Sequence, residues 1–183
     1  MGKSKQLLPV GDKPLLRHVV EHVLGSPVTP IVVVLGANAS EIRPCLDGLP
    51  VHIAINEGWA EGMGSSVRVG VDAVQRLAGG ATGVVLALAD QPGLSAGHIR
   101  RILEARALDG VSIVASRFEG KPMPPAFFAA GHFPALRELR GDAGARSLFQ
   151  THAAEVAGVE LAGLYDLDTP ADYADYLSRR RDP

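Results

Sequence analysis

Residues 84–93 read VVLALADQPG. Six aliphatic residues, Val84 through Ala89, run without interruption and stop on a carboxylate. Gln91, Pro92 and Gly93 follow at once. An unbroken apolar run of that length, bounded by turn residues, is the pattern of a strand covered on both faces. IVVVL (31–35) repeats the pattern, and VHIAI (51–55) and VSIVA (111–115) are further runs of strand length. Helical stripes lie around and between them. Leu15, Leu16, Val19, Val20, Val23 and Leu24 share one face behind Pro14, and Val67, Val71, Val74 and Leu77 share another. Ser95 is placed to cap a helix over 95–106, with Ile99, Ile102 and Leu103 inward. Thr169-Pro170 opens a last helix over 170–177. Strands alternating with helices predict an α/β fold of three α/β/α layers around a mixed, mostly parallel sheet. Residues 117–133, RFEGKPMPPAFFAAGHF, break the rhythm. Within 116–140 a loop and a short hairpin or edge strand are expected.

Composition bounds the function. The 183 residues are 46% hydrophobic and 21% charged, with a formal net charge of −2. Mean hydropathy is +0.13. This is the composition of a folded chain, and one domain over residues 1–183 is expected. The balance of charge offers nothing to a polyanion, and Arg179, Arg180 and Arg181 read as a solvated tail, so no nucleic-acid partner is expected. The lone Cys45 forms no internal disulfide and fits a reducing compartment. No apolar stretch approaches the roughly 20 residues of a membrane span, and no signal-peptide core precedes Lys5. A soluble cytoplasmic protein with no membrane contact is expected.

In α/β sheets ligands gather at the carboxyl ends of strands, where Asp90 stands. A carboxylate there serves equally as a turn cap or as a ligand for Mg²⁺, which favours one or two carboxylates plus phosphate oxygens. Asp166 and Asp168, in YDLDTPADY (165–173), alternate and share one face of an expected short strand, with Thr169 as cap and Asp172 in the first helical turn. Two acidic strand ends suit a cation that bridges phosphates. In EGMGSSVRVGV (61–71), Gly62 and Gly64 permit close backbone approach, and Ser65 and Ser66 offer hydroxyls at a helix start. An ordinary serine cap explains them equally. Lys3, Lys5 and Lys13 flank LLPV, either as solvated charges or as partners of a triphosphate. In RGDAGARSLFQ (140–150) a helix begins near Ala145, and Asp142 and Arg146 read equally as structural or as ligand-facing. The six histidines show no zinc-site spacing, although His18 and His22 are four apart. Packing or surface roles are expected for most of them.

Taken in order, KQLLP (5–9), GMGSSVRVGV (62–71), LADQP (88–92), PPAFF (124–128), LRGDAGAR (139–146) and YDLDTPADY (165–173) resemble the MobA-like NTP transferase family. The nearest branch in pattern is the molybdenum cofactor cytidylyltransferases (MocA-like). The resemblance implies a Rossmann-type fold like that of nucleotide-diphospho-sugar transferases. It also implies an opening strand and glycine-rich loop, L-A-A-G-x-S-x-R-M-G, of which Met1-Gly2 match only the last two residues. A truncated amino-terminal side with that strand missing, and weak nucleotide binding by the chain as written, are therefore expected. Carried onto this sequence, Lys5 contacts nucleotide phosphates. Gly64, Ser65 and Ser66, with Gly62, lie near the base. Asp90 and Asp168, with Asp166, hold Mg²⁺. Asp142 and Arg146 lie near the acceptor, and Pro125 lies in a loop closing over the substrate. The implied reaction moves an NMP, CMP from CTP in the first place, onto the phosphate of molybdopterin with loss of pyrophosphate. Molybdenum hydroxylase apoenzymes are the implied recipients of the product. A different acceptor (a sugar phosphate or phospholactate), or a non-catalytic nucleotide-binding accessory role, is the alternative.

Overall fold

The computed structural model describes residues 4–107, 110–160, 163 and 166–179. Met1, Gly2, Lys3, Tyr165, Arg180 and Arg181 lie outside them. In chain order the elements are β1 (Pro9–Val10), β2 (Lys13–Pro14), α1 (Leu15–Leu24), β3 (Val32–Leu35), α2 (Ala39–Ile42), β4 (His52–Ile55), α3 (Met63–Leu77), β5 (Gly83–Leu86), α4 (Ala96–Ala105), β6 (Ile113–Phe118), β7 (Lys121–Ala129), α5 (Phe133–Arg137), α6 (Arg146–Thr151), β8 (Val156–Glu160) and α7 (Pro170–Arg179). Four strands form one sheet in the order β5-β7-β6-β8, and β3 and β4 form a separate parallel pair. In the four-stranded sheet, β6 and β8 are parallel, whereas β7 runs antiparallel to both β5 and β6. The sheet is therefore mixed, with β7 as the reversed strand.

Side-chain alternation sorts the helices into layers. Val114 and Phe127 face a cluster with Leu15, Val19, Ile99, Ile102 and Tyr176, from α1, α4 and α7. Ile113, Ala115, Ala126 and Phe128 face the other way, toward Val71, Phe133, Leu136, Leu148 and Phe149, from α3, α5 and α6. These alternating residues make three α/β/α layers. A third cluster joins Leu16 and Val20 to Val33, Leu35, Ile42 and Leu46. Among the described residues no helix is long and apolar enough to cross a membrane.

The expectation for 116–140 needs correction. The hairpin exists, turning at Glu119-Gly120 with φ values of 50° and 74°, the backbone that a two-residue connection requires. Its second strand, however, is nine residues long and central. Prolines are tolerated there because of register. Ala115 pairs with Ala126 but Ser116 pairs with Met123, so Pro124 and Pro125 are bulged out of the ladder. The same prolines explain why β5 ends at Leu86 rather than Ala89. Leu86 is opposite Ala126, and beyond it β7 has no N–H to donate. The side chains of β5 are only half-buried, because it pairs on one side alone among the described residues. Full cover on both faces falls instead to Ile113–Ala115 and Ala126–Phe128.

Candidate active site at the carboxyl edge

Past Leu86 the chain leaves the sheet and turns at Asp90. His18 and His22 of α1 bond the carbonyls of Pro92 and Leu94 at 3.1 and 2.8 Å, so these two histidines hold the loop that follows Asp90. Ser95 caps α4 by accepting from the His98 N–H, as expected. Asp90 is therefore not the cap of α4. Its Oδ2 lies 3.2 Å from the Lys5 Nζ, and the same ammonium donates to Asp168 Oδ1 at 3.0 Å. The other oxygen, Asp90 Oδ1, is buried with no hydrogen-bond partner among the described residues.

Residues 166–168 do not form the expected strand. A backbone bond, Leu167 N–H to the Asp90 carbonyl at 2.9 Å, lays them beside the Asp90 turn. Alternation survives: Leu167 is fully buried, and the carboxylates on either side of it turn to the edge. Thr169 caps α7 in a reciprocal box with Asp172, at 2.7 to 3.2 Å, which leaves Asp168 free of that duty.

Gln91, which no local pattern singles out, joins the parts. It is completely buried. Its Nε2 donates to the Pro124 carbonyl at 3.1 Å and to Asp166 Oδ1 at 2.9 Å. The bulge of β7 leaves the carbonyls of Pro124 and Pro125 to be satisfied by side chains, Gln91 for the first and Ser116 Oγ at 2.6 Å for the second. Pro125 is thus a buried strand residue and not part of a loop over the substrate.

The electrostatics are those of crowded carboxylates around one cation. Burial pushes the Asp166 carboxyl up, against the lowering bond from Gln91, and the charges of Asp90 and Asp168 add to the rise. The Lys5 ammonium is opposed by its own burial, yet the Asp168 bond and the Asp90 charge hold its pKa above the ordinary value. Lys13 belongs elsewhere, paired with Glu21 at 2.6 Å.

The GMGSS segment forms a second constellation. Asn56, buried at the end of β4, donates to Ser65 Oγ at 2.8 Å and to Ser66 Oγ at 2.9 Å, and Ser65 donates to the Gly62 carbonyl at 2.8 Å. Gly62 has φ 102°, and a Cβ there would meet Asp142 Oδ1 and the Gly141 carbonyl carbon at 2.5 Å. A Cβ at Gly64 would meet Leu139 and Arg140 backbone at 2.9 Å. Close backbone approach is thus required, but the approaching backbone is the chain's own 139–142 segment. Asp142 sits on that segment, and Arg146, exposed at the start of α6, has no charged partner among the described residues. A cleft of about 420 Å³ opens beside Asn56 and Ser65, bounded by Glu61, Arg68, Asp72 and Arg137. That is ample for a small ligand. A smaller hollow of about 170 Å³ lies between Lys5, Leu88 and Asp90. Among the described residues no hydrogen bond or ion pair joins the two constellations.

Asn56 was legible by the rule that found Asp90, a polar residue ending an apolar strand run. Gln91 had no such signal, because its role depends on a bulge in a distant strand.

Comparison with known proteins agrees with the ordered motifs. The model of the MobA-like NTP transferase domain matches residues 1–156. The purine catabolism protein PucB of Bacillus subtilis is 32% identical over 186 aligned positions, covering 94% of this chain and 87% of PucB. Nicotine blue oxidoreductase of Paenarthrobacter nicotinovorans is 34% identical over 148, covering 78% and 71%. Among solved structures, Rv0371c of Mycobacterium tuberculosis H37Rv in complex with manganese superposes with a TM-score of 0.79 at 28% identity, covering 95% of this chain and 91% of that one. With the carboxyl-edge cluster of Lys5, Asp90 and Asp168 in the fold that these relatives share, the chain belongs to the MobA-like NTP transferase family of nucleotidyltransferase enzymes.

Proposed function

We propose that this chain moves a cytidylyl group from CTP onto the phosphate of molybdopterin, as the MocA-like branch does. The observation that carries the reading is Asp90, with one oxygen on Lys5 and the other buried and open. Asp90 and Asp168 share the Lys5 ammonium, and a third carboxylate, Asp166, sits beside them on Gln91, so carboxylates outnumber the cation at this edge. Oxygen-only donors of this kind fit a hard divalent cation such as Mg²⁺, and Rv0371c was solved with manganese. Asp90 and Asp168 would hold the ion, with Asp166 behind them, and its charge would offset that of the phosphate oxygens.

Lys5 adds a point charge for the triphosphate. Gln91 orients Asp166 and fixes the Asp90 turn against β7. An acceptor phosphate oxygen attacks the α-phosphorus, the bond to the β-phosphate breaks, and pyrophosphate leaves. Positioning and electrostatics suffice, with no covalent intermediate on the protein. Gly62, Gly64, Ser65 and Ser66 form the nucleotide side, with Asp142 and Arg146 toward the acceptor. The cleft that Ser65 lines supports the serine part of that assignment. The test is pyrophosphate release and dinucleotide formation from CTP, molybdopterin and Mg²⁺, with GTP, sugar phosphates and phospholactate as competitors. Faster turnover of another pair reassigns the substrate. No release with any pair leaves the accessory role.

A further inference from the structure

Ser112, His132, His152 and Glu155 meet at the sheet edge opposite Asp90. Ser112 directly precedes β6, and Glu155 directly precedes the parallel β8. His132 follows β7, which runs antiparallel to them, and His152 follows α6. Backbone bonds fix the frame: Ser112 N–H to the Glu155 carbonyl at 3.2 Å, Ala129 N–H to the Ser112 carbonyl at 2.8 Å, and Glu155 N–H to the His152 carbonyl at 2.8 Å. The side chains close upon one another. Ser112 Oγ donates to Glu155 Oε2 and lies 2.7 Å from His132 Nε2, while His152 Nδ1 lies 3.0 Å from Glu155 Oε1. The hydroxyl gives its proton to a carboxylate, not to an imidazole, so this is no nucleophile-and-base pair.

We propose that His132, His152 and Glu155 bind one first-row transition-metal ion of the Zn²⁺ class. One ligand atom from each lies within 4.8 Å of the others. His132 Nε2 is 3.6 Å from Glu155 Oε2. Around a tetrahedral ion with bonds near 2.0–2.1 Å, ligand atoms sit roughly 3.4 Å apart, so these separations need only small side-chain turns. The buried His132, with 8% of its side chain exposed, is the fixed ligand; His152 at 28% and Glu155 at 45% have room to adjust and admit the ion. Two imidazoles and a carboxylate suit Zn²⁺ and disfavour Mg²⁺, which takes oxygen ligands. The fourth position falls to the Ser112 hydroxyl or to water. The ion would tie the start of β6, the end of β7 and the approach to β8 into one knot. That makes it a stabilising ion, separate from the phosphate chemistry at the other edge.

The test uses the metal-free chain with Zn²⁺ alone, in Mg²⁺ buffer. Calorimetry is expected to show one ion per chain, bound in the micromolar range or tighter, with a raised Tm. His152→Ala and Glu155→Gln should each weaken binding at least about tenfold, whereas Asp90→Asn should not alter it. Absence of saturable binding, equal binding by both edge variants, or loss of binding in Asp90→Asn overturns the proposal. Wild-type chain loaded with Co²⁺ needs no variant: a four-coordinate d–d spectrum is expected, and a purely six-coordinate spectrum refutes the site.

Discussion

Replacing Gln91 with Leu tests how the carboxyl edge is held together. The change keeps most of the volume and removes two hydrogen bonds from a fully buried side chain. The bond to the Asp166 carboxylate contributes about 1.5–3 kcal/mol and that to the Pro124 carbonyl about 0.5–1.5 kcal/mol. Against this loss, Gln91 Oε1 is buried without a partner among the described residues, and deleting it recovers about 1–3 kcal/mol. The central values leave a net cost of about 1–2 kcal/mol at neutral pH. Acid should shrink that cost. The folded-state pKa of Asp166 lies above its ordinary value, so the fold disfavours its charged form, and the Gln91 bond relieves part of that strain. As pH falls through that raised pKa the carboxyl takes up a proton in the folded chain and no longer needs a partner for its charge. Urea unfolding of metal-free wild type and Gln91→Leu, at neutral pH and near pH 4, measures both terms. A cost that is absent at neutral pH, or that stays constant or grows in acid, refutes this account of the Gln91–Asp166 pair.

Asp90→Ala should lower nucleotidyl transfer by about 100-fold or more with the melting temperature little changed, as pyrophosphate release and a thermal melt would show. Near wild-type turnover excludes the ligand role. Gly62→Ala combines a positive φ with contacts of 2.5 Å to the 141–142 segment, and should cost about 2–4 kcal/mol in chemical denaturation. A cost within error would mean that α3 and this segment do not pack as described. Asn56→Ala removes both bonds to Ser65 and Ser66 and should cost about 1–3 kcal/mol. If those serines face the nucleotide, its KM for CTP should rise more than kcat falls, and an unchanged KM removes them from the nucleotide side.

Much of the fold was legible because apolar runs and helical stripes are local signals. The strand cores at 31–35, 51–55 and 111–115, the helical stripes running from Leu15 to Leu24 and from Val67 to Leu77, and the helices over 95–106 and 170–177 stand where their patterns put them, within a few residues at their ends. Strand β8, VAGVE, shows no clear pattern because Gly158 and Glu160 interrupt the run, which a strand paired on one side among the described residues tolerates. Helices α2 and α5 span four and five residues, too few for a stripe to show, whereas α6 begins at Arg146, next to the expected start near Ala145.

By itself the sequence determined the α/β class, the family, and a carboxylate at the end of an unbroken aliphatic run. These depend on residue order and on hydrophobic periodicity, both readable along the chain. Only the tertiary structure decided what that carboxylate does. Register put Pro124 and Pro125 into a bulge, the bulge called for Gln91, and Gln91 drew Asp166 beside Asp90 while Lys5 took one oxygen from each of Asp90 and Asp168. The grouping of His132, His152 and Glu155 has the same origin. Contacts between residues twenty to more than a hundred and sixty positions apart are set by strand pairing, and no local pattern encodes them.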